Sequence, residues 1–269
     1  MLRELFSLWR DRGSRLARSL GQDREAVSID ARHRRCREAW QPHLQATRAL
    51  VLDAAAMAPG RELAVALGSG ACLDVPVAEL AEHFRQVVLL DAHHPRAARE
   101  LAKRLPNVRL VTADATGLVQ AARDAARGRT RLPCPVPRPD PLPGLHPDFT
   151  ASVNLASQLP IPFYKILGRR ADDATGQAFL RGLVTAHFDW LAGLPGRVCL
   201  ACDTAWERAD GAAVLERRDA LEGVALPPPD RTWLWRIAPR PEESAAYDRQ
   251  NRVAGFLDFA AAWTKQGLD

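Results

Sequence analysis

The stretch 63-LAVALGSGACLDVP-76 begins as an unbroken apolar run, turns at two glycines, and meets an acid two residues ahead of a proline. Five apolar residues without polar alternation fit a strand buried on both faces and are too few for a helix. The glycines mark a tight turn, and the proline suits the first turn of a helix. In a doubly wound sheet this first turn lies at the switch point, where bare backbone can approach a ligand seated over the next helix.

The same alternation continues downstream. Apolar runs at 63–67, 86–90 and 108–112 predict three strands, with helices at 76–84, 95–105 and 117–127 between them. A fourth strand is expected at 149–155, a helix at 173–194 and a fifth strand at 198–202. Further strands at 213–218 and 232–238 and a terminal helix over 244–265 complete the pattern. The expected fold is α/β, a doubly wound, mostly parallel seven-stranded sheet. The link 204-TAWERADG-211 is too short for a full helix, which leaves the order of the last strands open. Residues 132–148 hold seven prolines and read as a stiff, extended connector.

Upstream of the first strand lies a helical extension. Cys36, Trp40, Leu44, Leu50, Val51 and Ala54 mark one side of a helix over 30–56, closed by Pro59 and Gly60. Leu2, Leu5, Phe6, Trp9, Leu16 and Leu20 fall near helical spacing, interrupted by Gly13. The division expected is an extension at 1–59, packed over the cofactor or substrate side, and a Rossmann-like cofactor-binding domain at 60–269.

Composition bounds the partners. With 269 residues and 47% hydrophobic content the chain can bury a sizeable core. Of the net charge of +5, the first forty residues carry +4, from ten arginines against six acids. Arginine outnumbers lysine 34 to 3, as a GC-rich genome would produce, so the basic balance is no strong nucleic-acid signal. No apolar run is long enough to span a membrane, the N-terminus is charged, and the five cysteines lack framework spacing. A cytoplasmic protein is expected. Cys199 and Cys202 lie in an apolar strand that points them to opposite faces, against a metal or redox pair. No Cys/His cluster has metal-ligand spacing, and no metal is expected.

Three successive strand ends carry the candidate cofactor residues. Gly68, Ser69 and Gly70 form the first turn, Asp91 and Ala92 end the second strand, and Asp114 and Ala115 follow the third. Asp91 stands twenty-one residues past Gly70, where a carboxylate can accept hydrogen bonds from a ribose diol. A dinucleotide fingerprint would need a third glycine at the position of Leu73, which weakens the NAD(P) oxidoreductase reading.

LAVALGSGACLD, VVLLDAHHP and VRLVTADATGL, with the seven-strand count, resemble the Rossmann-like (class I) S-adenosylmethionine-dependent methyltransferases over about residues 60–240. The resemblance implies S-adenosylmethionine as cofactor. It also implies that Gly68 and Gly70 lie against the methionine part, Asp91 binds the ribose hydroxyls, and Asp114 contacts the adenine. Two positions depart from the family pattern: Ala66 stands where an acid is usual, and Cys72 where a third glycine is usual. A catalytically silent nucleotide-binding or interaction protein of the same fold stays open beside the methyltransferase.

The segment 152-SVNLASQLPIP-162 places Asn154, Ser157 and Gln158 where substrate-side residues are expected, with His94 as a further candidate at the rim. The signature of amino-group methylation, an acid or asparagine followed by two prolines and an aromatic, is absent, since Leu155 and Ala156 follow Asn154. The acceptor, small molecule or macromolecule, is therefore not readable. Asp74, just ahead of Val75-Pro76, reads as a helix cap, with cofactor binding as the second choice, and Trp233 and Trp235 read as packing residues on opposite faces of a strand.

Overall fold

A computed structural model describes residues 22–266. The helical spacing over 1–20 lies outside these residues. In chain order the elements are helices α1 (Gln22–Arg35) and α2 (Arg37–Ala56), then β1 (Leu63–Leu67), α3 (Val77–His83), β2 (Gln86–Asp91), α4 (Arg96–Arg104), β3 (Val108–Thr112) and α5 (Val119–Ala126). They continue with β4 (Phe149–Val153), α6 (Ile161–Leu167), α7 (Ala174–Ala192), β5 (Arg197–Asp210), β6 (Ala213–Asp219), β7 (Arg231–Ala238), β8 (Asp248–Phe256) and α8 (Phe259–Gln266).

The strands form one sheet in the order β3-β2-β1-β4-β5-β8-β7, with β6 paired to β5 off this path. β1 to β5 are mutually parallel, and β8 runs antiparallel to both β5 and β7. The order reverses between β1 and β4, so the switch point lies at the carboxyl end of β1. The doubly wound, mostly parallel architecture with N-terminal helices is as expected.

Strand alternation splits the core into two layers. Ala64, Ala66, Ala151, Val153, Cys199 and Ala201 face Leu50, Val51 and Ala54 of α2, while Val65, Leu67, Val198, Leu200 and Cys202 face Val184, Phe188 and Leu191 of α7. Cys199 and Cys202 thus lie on opposite faces, as the strand reading requires, and both are free. Alanines on the first face let α2 lie close to the sheet. Ala66 is fully buried there, and an acid in its place would be a charge in an apolar layer. Full burial of Leu50 and Val51 stabilises this docking by about 1.5–3 kcal/mol for each side chain. The proline-rich connector packs along α7, where a Cβ on Gly182 would lie 2.6 Å from Val136 Cγ2. It ends at Asp148, whose Oδ2 accepts from the N–H groups of Glu62 and Leu63 at 2.7 and 3.1 Å.

Five expectations are corrected. The described residues form eight strands rather than seven, because the terminal helix over 244–265 is mostly β8, followed by the short α8. β8 is a central strand between β5 and β7 whose first half, DRQNR, is polar and partly exposed, and that run of Asp, Arg, Gln and Asn residues disguised it. The fifth strand runs on to Asp210, and TAWERADG is the first arm of a hairpin with β6, anchored by the buried Glu207, which accepts from Arg217 and Arg252. The helix over 30–56 is two helices that meet at Cys36. Asp74 caps nothing: α3 begins after Pro76 without a side-chain cap. Trp233 and Trp235 share a face, since residues two apart on a strand point the same way, and both meet His43 of α2. No helix among the described residues is long and apolar enough to cross a membrane.

Candidate functional site

The carboxyl ends of β1 to β4 open onto a cleft that α1, α2 and α6 wall. Its floor is the first turn. Gly68, at φ +72°, donates its N–H to Leu90 O at 3.0 Å, and a Cβ there would stand 2.7 Å from Val153 O, so only glycine fits between β2 and β4. Gly70, at φ +46°, differs: a Cβ would meet nothing within 4 Å and would project into open cleft. Ser69 between them is buried with Oγ unpartnered. Cys72 holds φ +58°, so the place of the third glycine keeps a glycine-like backbone under a side chain. Burial, with Asp74 and Asp91 nearby, pushes its thiol up to about 12.

Asp91, half-buried, accepts from Gly70 N–H at 2.8 Å on one oxygen and from His93 N–H at 3.1 Å on the other. Each oxygen keeps a lone pair for a ligand. Ala92 and His93 line the cleft beside it. Asp114 is committed to its own loop, accepting from Thr116 N–H and Oγ1 and from Val119 N–H at 2.7–3.1 Å. One of its oxygens holds the first N–H of α5, and Asp114 and Ala115 both line the cleft wall.

The opposite side is built around Asn154, which lies in the left-handed region at φ +52° and is tied to Ala201 O through its N–H at 2.8 Å. Its Nδ2 donates to Asp74 Oδ2 at 2.8 Å and lies 3.4 Å from His43 Nε2. Trp233 Nε1–H donates to His43 Nδ1 at 3.0 Å, and the His43 ring stacks on Trp235 at 4.1 Å and 6°. Burial lowers the His43 pKa to about 3, and the same cause raises that of Asp74. Gln158 reaches the wall. Ser157 does not, and His94 is turned away, its Nε2 donating to Val111 O at 3.0 Å under β3.

Sequence reasoning missed His43 and Trp235 as cleft residues and gave Asp74 a cofactor role only as a second choice. Asp74 was legible only as an acid four residues past Gly70, and His43 had no local signal at all. Beneath the site, Asp203 of β5 is buried, accepts from Asn251 Nδ2 at 2.8 Å, and is pushed by burial up to about 7. No group of metal-ligating side chains occurs among the described residues.

No family model matches the chain, and no curated protein matches it. Among solved structures it is similar to the N-methyltransferase NodS from Bradyrhizobium japonicum WM9 in complex with S-adenosyl-L-homocysteine. The identity is 12% over 80% of this chain and 86% of that one, with a TM-score of 0.40. It is also similar to Burkholderia thailandensis 1,6-didemethyltoxoflavin-N1-methyltransferase with bound 1,6-didemethyltoxoflavin and S-adenosylhomocysteine, at 17% identity, 87% of both chains and a TM-score of 0.35. The 23S rRNA methyltransferase ErmE aligns at 14% identity over 77% of this chain and 67% of that one, with a TM-score of 0.30. These overlaps are loose, and the fold is carried by the sheet order.

Proposed function

We propose that this chain is an S-adenosylmethionine-dependent methyltransferase whose cofactor lies over the β1 turn. The observation that carries it is the pairing of Gly70 with Asp91: open space above a bare backbone, beside a carboxylate with free lone pairs, at the switch point. The orphaned Ser69 Oγ in the same wall fits a polar ligand. Gly68, Ser69 and Gly70 would lie against the methionine part, Asp91 and Ala92 at the ribose, and Ala115 beside the adenine, with Asp114 holding that loop in shape. S-adenosylmethionine supplies a methyl group already activated on a sulfonium, so the protein's task is alignment and exclusion of water. Residues 60–269 form the cofactor-binding unit in this reading. The extension at 1–59 closes the acceptor side through Ile29, Trp40, His43 and Leu44. Five free cysteines fit a reducing, cytoplasmic setting.

A nicotinamide enzyme is disfavoured by the sheet. The dinucleotide order 3-2-1-4-5-6 continues the parallel sheet past the fifth strand, whereas here both neighbours beyond β5, the hairpin partner β6 and the in-sheet β8, run antiparallel to it. The silent reading draws on Cys72, whose side chain occupies a glycine place. Thermal-shift and calorimetric titrations with S-adenosylmethionine, S-adenosylhomocysteine, NAD and NADP separate the three. Stabilisation by the two adenosyl ligands alone is expected. Stabilisation by NAD, or by none of the four, would reject the assignment.

A further inference from the structure

We propose that Asp74 takes the proton released by the methyl acceptor, and that the acceptor is a compact, largely apolar molecule presenting an N–H or O–H group. This rests on the methyltransferase reading. Asp74 is the carboxylate of the cleft wall on the Asn154 side, and the surfaces around it are Ile29, Leu44, Leu73, Trp40 and Trp235. Such walls stabilise an apolar body and leave one strongly polar place for it.

The proton inventory of the wall supports this role. Trp233 Nε1 can only donate, so His43 Nδ1 must accept and Nε2 must carry the ring's proton. That Nε2–H points at Asn154 Nδ2, 3.4 Å away, so two donors oppose each other while Asn154 also donates to Asp74. Asn154 Oδ1 is meanwhile buried without a partner. Reversing the amide turns Oδ1 toward both His43 and Asp74, which requires a proton on Asp74. The reversal leaves one amide group without a partner, as the first orientation does, but removes the opposed N–H pair. Each protonation state of Asp74 therefore has its own Asn154 orientation, and the neutral state gains the His43 hydrogen bond.

The chemistry balances. The acceptor's nitrogen or oxygen lone pair bonds to the methyl carbon, and the carbon–sulfur pair stays on sulfur as a neutral thioether. The acceptor's proton passes to the Asp74 carboxylate. The other titratable or charged groups around Asp74 are Arg48 on α2, the Cys72 thiol and Asp91 on the ligand side, and Asp203 from β5. Arg48 favours the carboxylate and the acids oppose it.

Carboxyl carbon NMR of the ligand-free protein tests this, with the Asp74 resonance identified by its loss in Asp74→Asn. Asp74 is expected to titrate above the usual carboxylate range. His43→Phe removes the donor and should lower that pKa by about one pH unit, whereas His43→Gln keeps an N–H and should restore it. Trp233→Phe should also lower it, because a freed His43 can then accept from Asn154. Circular dichroism shows which variants fold, and any one folded variant decides. An Asp74 that titrates like an exposed carboxylate, or that ignores these changes, overturns the proposal. S-adenosylhomocysteine titration of the same wild-type sample keeps the two failures apart. Absence of binding rejects methyl transfer itself, while binding with an ordinary Asp74 rejects only the assignment of the proton acceptor.

Discussion

The backbone N–H of Gly70 donates to the carboxylate of Asp91 at 2.8 Å, so the turn after β1 is pinned to the end of β2. One acid thereby shapes the loop and faces the space above it. Asp91→Ala is expected to weaken S-adenosylhomocysteine binding by about 1.5–3 kcal/mol, the range for a hydrogen bond to a charged group. Asp91→Asn should lose less. Calorimetry gives the affinities and a denaturant titration the stability. An affinity unchanged in a folded Asp91→Ala protein would remove this residue from the site.

Gly70 and Cys72 should respond in opposite directions. Both hold positive φ, but a Cβ on Gly70 enters open cleft, whereas Cys72 already carries one. Gly70→Val should abolish cofactor binding in a protein that still folds, since the strand and helix on either side bury their own faces. Cys72→Gly should raise stability by about 1 kcal/mol by relieving the left-handed strain, with binding kept or improved. Retained binding in Gly70→Val would reduce the turn to a connector.

Asp203 sets a slope of stability with pH. Its folded pKa, about 7, lies above the ordinary value of about 3.9, so the folded state binds the extra proton between those limits. Its contribution is full below about pH 4 and is lost as pH rises through 7. Asp203→Asn should abolish this loss and make the protein more stable than wild type at pH 8, by up to a few kcal/mol. Denaturant midpoints of the two proteins from pH 4 to 8 check the crossing. Parallel profiles would show that Asp203 is not held neutral.

His187 should give the opposite slope. It is buried against Ser152, 3.1 Å from Oγ, and burial lowers its pKa to about 3. The unfolded chain protonates it below about 6.5 while the folded state does not, so its stability contribution is present above that pH and lost as pH falls toward 3. His187→Gln, which cannot titrate, should flatten the acid side of the stability profile. Equal acid sensitivity in both proteins would refute a neutral buried imidazole here.

Much of the site was readable locally because the acids and glycines sit within a few residues of a strand end. Gly68, Gly70 and Asp91 were found by spacing alone, and the cleft lies above them. Asp114 lines the cleft where an adenine contact is expected, but its bonds to Thr116 and Val119 are set by loop conformation and have no signal in the spacing. His94 and Ser157 were polar residues near a strand end, but chain direction turned both off the wall.

Local sequence determined the alternation of strand and helix from β1 to β5, because a strand buried on both faces must be apolar throughout and a glycine turn must follow it. It also determined that a tight glycine turn lies after β1, at the floor of the cleft. Only the tertiary structure decided that β8 enters between β5 and β7, that Trp233 and Trp235 turn together toward His43, and that Asp74 meets Asn154. Trp233 and His43 stand 190 positions apart in the chain. The His43 contacts follow from the docking of α2 across the sheet, which buries an apolar helix face and carries a histidine into the cleft wall, and no local spacing in the chain encodes that juxtaposition.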